Sequence, residues 1–321
     1  VEGKIMASNR TQKPRILWLG APDSCNALVN DLLAQCDQRA RLCKEGKPVA
    51  PQLPTGKLNE ILSGGLSIGL TVLHGAPGAG KSAFAWQTAC ECGCPALVVS
   101  AELPATELLL RLTARVTETP RQKLLYMPRE QLAPLLQRAI YSCPHVGIVD
   151  LTRYVPSQNG DGDGQGTRTL WDVLADFVTM LVEYNASMVQ APYPLLVVDS
   201  VHTVARLAGA PDVREYDRLS DALTSLDTIA RHFGIAVLGV AERNREAMQG
   251  GGITAAAGHR LFEYVSEAML SLDVERDNNQ NPVRRADDAV KLTLRVLKNR
   301  NGELAEVALW FNGKLMRFTE G

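Results

Sequence analysis

Residues Gly75-Ala76-Pro77-Gly78-Ala79-Gly80-Lys81-Ser82 fit the spacing G-x-x-x-x-G-K-S/T, and Ala83 continues it into a helix-forming stretch that runs to Cys90. A glycine-rich turn lets successive backbone N–H groups converge on a phosphate, and the helix that follows adds the positive end of its dipole. In that geometry Lys81 reaches the β- and γ-phosphates of a nucleotide, and the Ser82 hydroxyl is a ligand of the accompanying Mg²⁺. The apolar run Leu70 to Leu73 before the turn supplies the strand that such a loop must follow. A chance glycine-rich turn would not carry both flanking elements.

Phosphoryl transfer also needs a carboxylate beside the metal and a group that orients or activates water. Leu195-Leu196-Val197-Val198-Asp199 reads as a buried strand that carries Asp199 to the carboxyl edge of a sheet, where open α/β folds bind ligands. Residue 200 is serine, so the second acid does not directly follow the first. The stretch Val98-Val99-Ser100-Ala101-Glu102 ends the strand expected after the phosphate-loop helix, which makes Glu102 the candidate for activating water. The competing reading is a first-turn helix residue favoured by the dipole.

These side chains need a frame, and the pattern supplies one. From Pro54 onward, the apolar runs LTVL, ALVVSAE, VGIVDL, LLVVDS and GIAVLGVAE alternate with helical stretches. Runs that are apolar throughout imply strands covered on both faces, hence a parallel sheet with crossover helices. Further on, Ala268 to Val274, Val290 to Leu297, Val307 to Phe311 and Lys314 to Phe318 have strand character, with Asn301-Gly302 and Asn312-Gly313 as hairpin signals. They are expected to extend the sheet antiparallel at its edge. Residues 1–53 read as a short extension with a strand at Ile16 to Leu19 and a helix at Asn26 to Leu42, ended near Pro48 and Pro51. Residues before Met6 read as an upstream extension outside the fold.

The chain of 321 residues is long enough for one large α/β domain, 54–321, beside that extension. Its net charge of −1 removes any global basic field, so a nucleic-acid contact would have to rest on local arginines. Seven cysteines, an odd number without a secretory signal, point to a reducing cytoplasm rather than a disulfide framework. Cys90, Cys92 and Cys94 lack zinc-finger spacing and read as buried thiols at the end of the phosphate-loop helix, while Cys25, Cys36 and Cys43 show no metal spacing. No apolar run approaches the ~20 residues of a membrane helix. The acidic, glycine-rich stretch at 158–166 lacks the glutamate that closes a calcium loop and reads as an exposed insertion. Residues 249–252 read as a ligand-facing turn.

Taken in order, TGKLNEILSGGLSIGLTVLHGAPGAGKSAF, VVSAELPATELLLRL, LLVVDSVHTV, VLGVAERNRE and LKNRNGELAEVALWFNGKLMRF resemble the RecA-like P-loop motor domain of the DnaB replicative helicase family, and are also similar to RadA and KaiC proteins. The resemblance runs from about Pro54 to Phe318. It implies an α/β RecA-like fold, ATP and Mg²⁺ as cofactors, Glu102 as the hydrolytic glutamate and Asp199 as the Mg²⁺ aspartate. It further implies that Lys298 and Arg300, in the family's KxRxG pattern, reach the γ-phosphate of a neighbouring subunit. A cation lent in trans stabilises charge building in phosphoryl transfer and makes turnover depend on assembly. Without the resemblance, the same pair reads as an edge strand protected by charge. At the sensor position, where these helicases commonly carry glutamine, this chain has Glu242. The sequence carries no helical collar domain, zinc motif or tandem duplication of the kinds found in these families, so a stand-alone motor core is expected.

The family lines a central channel with loops after the Mg²⁺ strand and after the sensor strand, positions held here by Arg206 and Arg214 in one loop and Arg245 in the other. A few arginines and backbone amides can track phosphates without sequence preference, but they serve equally in ion pairs between subunits. The leading expectation is an ATP-driven homo-oligomer, a ring hexamer or helical filament, acting on single-stranded DNA. The alternative is a regulatory or recombination-mediator ATPase that assembles with ATP and recruits a protein partner without unwinding.

Overall fold

The computed structural model describes residues 22–154, 169–189, 191–210, 212–242 and 261–321. The chain divides into two compact units, 1–46 and 47–321. In the first, one helix, α1 (Pro22–Lys44), covers and exceeds the stretch expected to be helical; it leaves Val29, Leu32 and Leu33 exposed and carries Arg41 and Lys44 in its last turn. The strand expected at Ile16 to Leu19 lies outside the described residues.

The second unit alternates as expected: α2 (Gly56–Ile61), β1 (Gly69–Gly75), α3 (Lys81–Glu91), β2 (Ala96–Ser100), α4 (Ala105–Thr117), α5 (Arg121–Leu125), α6 (Arg129–Ser142) and β3 (Val146–Asp150). Then come α7 (Leu170–Tyr184) with a π-helical turn at Asn185–Val189, β4 (Leu195–Asp199), α8 (Val201–Ala208), α9 (Glu215–Phe233) and β5 (Ala236–Glu242). Four strands close the chain: β6 (Ala268–Val274), β7 (Val290–Asn299), β8 (Glu306–Asn312) and β9 (Arg317–Glu320).

Among the described residues these strands form one nine-stranded sheet in the order β3-β2-β4-β5-β1-β6-β7-β8-β9. The apolar runs are explained by burial on both faces. Along β4, Leu195 and Val197 join the core that holds α3 and α4, while Leu196 and Val198 join the core that holds α7, α8 and α9. β1 sits between β5 and β6, parallel to both and buried along its whole length.

Two expectations change. β6 is not part of an antiparallel extension: it pairs parallel with β1, and the reversal begins at β7. Its run is apolar because it is an inner strand, and the direction of pairing is set by a long connection that local pattern does not encode. The strand expected at Lys314 to Phe318 starts instead at Arg317, because residues 313–316 turn, with Asn312 Oδ1 accepting from the Lys314 and Leu315 N–H groups at 3.0 and 3.1 Å. β9 then packs on α3. Phe318 meets Phe84 edge-on at 5.2 Å and stacks on Phe311 at 4.4 Å, while the Gln87 amide closes both backbone groups of Phe318 at 3.1 and 2.7 Å.

Candidate nucleotide-binding and hydrolysis site

The carboxyl ends of β1, β2, β4 and β5 converge, and each delivers an expected residue there. β1 ends at Gly75, where a Cβ would stand 2.3 Å from the Leu272 carbonyl oxygen, so this close strand packing admits only glycine. Gly80, with φ +89, turns the loop into α3 in a conformation that a side chain disfavours. Between them lie Ala76, Pro77, Gly78 and Ala79, and Ala83 is buried in the first turn of α3. The Lys81 Nζ donates to the carbonyls of Gly75 and Ala76, both at 3.0 Å, so it folds over the loop it helps to form. Burial lowers its pKa, while Glu242, Asp199 and Glu102 work in the opposite direction.

The Ser82 Oγ donates to Asp199 Oδ1 at 3.2 Å, which brings together the two side chains expected to hold Mg²⁺ although 117 positions separate them. Asp199 is 5% exposed, and burial pushes its carboxyl up to about 6 despite the Ser82 hydrogen bond; the Glu102 charge adds to the rise. A hydroxyl and a carboxylate are hard oxygen donors of the type Mg²⁺ prefers, and burial outweighs the Ser82, Arg111 and Lys81 contributions at Asp199, a balance that a divalent cation would redress. The site therefore fits a Mg²⁺–triphosphate.

Glu102 stands just past β2, at the mouth of the same cleft of ≈ 370 Å³ that Lys81, Ser82 and Asp199 line. Its Oε1 accepts from the Ser200 hydroxyl and, at 3.0 Å, from the Thr203 hydroxyl. Ser200 is also the N-cap of α8, accepting from the Thr203 N–H. The turn after Glu102 is fixed from the other side, where Asp150 Oδ2 accepts from the Ala105 N–H at 2.8 Å and Ser100 Oγ donates to the Leu103 carbonyl. Glu242 ends β5 in register with Gly75 and lines the cleft.

Sequence reasoning missed three contributors. Ser200 and Thr203 hold Glu102, and the S-x-x-T spacing after Asp199 could have signalled a helix cap but not its distant partner. Arg111 also lines the cleft, bonded to Glu107 at 2.8 Å. Four residues after a glutamate on a helix, it reads like an ordinary surface pair. Beyond the phosphate loop, a wider pocket of ≈ 680 Å³ shares Pro77, Gly78, Phe311 and Gly313 with the cleft and is lined by Arg276, Arg284 and Lys314.

Lys298 and Arg300 lie elsewhere. Antiparallel pairing puts Lys298 opposite Met269 and Asn299 opposite Ala268, at the start of β6, and that end is the amino edge of the sheet. The phosphate loop is at the carboxyl edge. Lys298 Nζ donates to the carbonyls of Glu263 and Ser266, and Arg300 bonds Glu267 Oε1 at 3.4 Å and the Tyr264 carbonyl at 3.3 Å. Arg300 follows the last residue of β7, yet both side chains turn to the same 263–267 segment.

The DNA candidates divide. Arg206 is not in a loop but on α8, because the Ser200 cap starts a helix directly after Asp199. It is exposed there. Arg214 is the N-cap residue of α9, 88% exposed, and pairs with Asp217 at 3.1 Å. Arg245 lies outside the described residues, as do the 158–166 and 249–252 stretches. Cys92 and Cys94 are buried and Cys90 is half-buried, as the helix-end reading expected.

Phosphate loop, sheet order and reversed C-terminal strands together define a RecA-like P-loop fold of the DnaB type. No protein-family model matches the chain, and no curated protein sequence does. Among solved structures, a separately solved ATPase domain superposes with TM-score 0.69 at 15% identity, covering 94% of this chain and 99% of its own. A DnaB-like replicative helicase, described with its interactions with primase, gives TM-score 0.67 at 15% identity over 94% of this chain and 67% of that one. A KaiC-like protein from the hyperthermophilic archaeon Pyrococcus horikoshii OT3 gives 0.51 at 17% identity over 86% and 97%. At these identities the likeness is one of fold. No helix among the described residues is long and apolar enough to cross a membrane.

Proposed function

We propose that the chain is an ATP-hydrolysing, Mg²⁺-dependent motor that works as a cytoplasmic homo-oligomer, a ring hexamer or filament, on single-stranded DNA. The observation that carries the hydrolytic part is the convergence of Lys81, Ser82, Asp199 and Glu102 on one cleft. In this reading the phosphate loop from Gly75 to Ala83 cradles the triphosphate, and the ribose and base extend into the wider pocket beside Gly78. Lys81 leaves the Gly75 and Ala76 carbonyls to meet the phosphates. Ser82 and Asp199 would hold Mg²⁺, which when bound would supply charge neutralisation on the transferred group. Glu102, fixed by Ser200 and Thr203, accepts a proton from the attacking water, and Arg111 and Glu242 flank the same space.

Lys298 and Arg300 sit at the opposite sheet edge from their own phosphate loop, so a γ-phosphate role for them requires a second protomer. This placement favours an assembled active site. Arg206, Arg214 and Arg245 are the proposed DNA contacts. The domain division at residue 53/54, with the N-terminal extension as a protomer-contact arm, belongs to the same proposal.

The second reading is a regulatory ATPase that assembles with ATP and recruits a protein partner; the likeness to a KaiC-like structure and the carboxylate at Glu242 favour it. Steady-state ATP turnover with and without an oligonucleotide separates the two. Several-fold stimulation by single-stranded DNA, lost in Lys81→Ala, supports the motor. Turnover indifferent to DNA contradicts it and selects the regulator.

A further inference from the structure

The carboxyl end of α3 carries a thiol cluster that the nucleotide site does not use. Cys90 lies in the last turn of α3 and Cys143 caps α6, where the Cys143 Sγ donates to the Cys90 carbonyl oxygen at 3.8 Å and so lies against that residue. A buried cation faces the pair. The Arg115 side chain, on α4, is 3% exposed and pairs through Nε with Glu91 at 3.2 Å, whereas its Nη1 has no hydrogen-bond partner among the described residues. Its charge favours the thiolate of either cysteine.

We propose that Cys143 and Cys90 are a redox-active dithiol, Cys143 being the nucleophile toward a peroxide and Cys90 the resolving thiol. The groups facing Cys143 are Cys90 and Glu91 of α3, Arg115 of α4 and its neighbour Ser142. The Cys90 hydrogen bond, Ser142 and Arg115 lower its thiol to about 6, against burial and the Glu91 charge. Burial, above all, raises Cys90 well above the ordinary range, so of the two thiols Cys143 is the one favoured to ionise. Cys143 is half-buried and follows exposed Ser142, which leaves a small oxidant access. Cys92 and Cys94 are buried, and burial holds both as thiols: Cys92 is pushed up to about 11 and Cys94 well above the ordinary range.

The chemistry balances in two steps. The Cys143 thiolate attacks one oxygen of hydrogen peroxide, the O–O bond breaks, and with one proton taken up the products are the sulfenic acid and water. The Cys90 sulfur then attacks the sulfenic sulfur; the S–O bond breaks, a second water leaves with the Cys90 proton, and the disulfide forms. The bond ties the end of α3, the helix that begins with Lys81 and Ser82, to the end of α6.

The test treats the full chain with stoichiometric hydrogen peroxide, blocks free thiols and maps tryptic peptides without reduction. The expected product joins residues 82–111 to 139–153 through Cys90 and Cys143 and disappears on treatment with dithiothreitol. In Cys90→Ser, dimedone should label Cys143 instead. The iodoacetamide reaction of Cys143 should level off near neutral pH, where an ordinary thiol's rate still rises toward pH ~8.5. A different cysteine pairing, Cys143 driven to sulfinic acid beside free Cys90, or a Cys143 rate that climbs like an ordinary thiol's would overturn the proposal.

Discussion

Asp199 is a buried carboxylate whose charge is disfavoured by desolvation. Its folded pKa, about 6, is raised by burial above an aspartate's ordinary value of 3.8, so the native state binds this proton more tightly than the unfolded chain. The resulting stabilisation is fully present below about pH 4 and is lost as pH rises through about 6. Asp199→Asn should therefore flatten that part of the pH profile and raise stability near pH 7 by about 2–3 kcal/mol, read by urea unfolding without nucleotide. The same substitution should abolish Mg²⁺-dependent turnover, and a fall in stability at pH 7 would contradict the account. Glu102→Gln should lower turnover by about 10²- to 10⁴-fold with ATP affinity retained. Ser200→Ala, which removes one charge-assisted hydrogen bond to Glu102, should cost about 10- to 100-fold, again in turnover rather than binding. Equal losses in affinity for the two variants would mean that the cluster is structural. The sequence points to Lys81 and Ser82 through the G-x-x-x-x-G-K-S spacing and to Asp199 and Glu102 through the apolar runs that precede them, and the structure brings all four to one cleft. Ser200 and Arg111 were not legible in the sequence. The Ser200 contact crosses 98 positions, and the placement of Arg111 in the cleft depends on how α4 lies against the sheet.

At the scale of elements, α3 positions Lys81 and Ser82 and is itself held from behind by β9. Phe318 fills the space between Phe84 and Phe311, and Gln87 saturates its backbone. Phe318→Ala should destabilise the fold by about 3–5 kcal/mol in chemical denaturation, with ATP affinity falling alongside because the helix loses its backing. A loss below about 1 kcal/mol would show that β9 is dispensable to α3. The strands themselves were readable because burial on both faces leaves an uninterrupted apolar signature, as in β1 and β4. The direction of β6 was not, since parallel and antiparallel inner strands show the same signature and differ only in the path of the connection. The helix at Arg206 was likewise missed: eight residues from Val201 to Ala208 give a short pattern, and the decisive cap, Ser200, was weighed only as an absent carboxylate.

At the scale of the whole molecule, the sheet separates the two halves of the proposed chemistry. Its carboxyl edge carries the phosphate loop and the carboxylates of Glu102, Asp199 and Glu242; its amino edge carries Lys298 and Arg300, tethered to the 263–267 segment. Under the proposed function, the site is completed when one copy lends its amino edge to the next. Arg300→Ala should accordingly keep ATP affinity within about threefold while turnover falls by about 10³-fold or more. The most direct test mixes Arg300→Ala with Lys81→Ala protein, both inactive alone, and measures ATP hydrolysis as a function of their ratio. Each mixed contact between an intact phosphate loop and an intact Arg300 should restore turnover, with a maximum near equal proportions. If the mixture stays inactive at every ratio although both variants co-assemble, the site is not shared between protomers and the account fails.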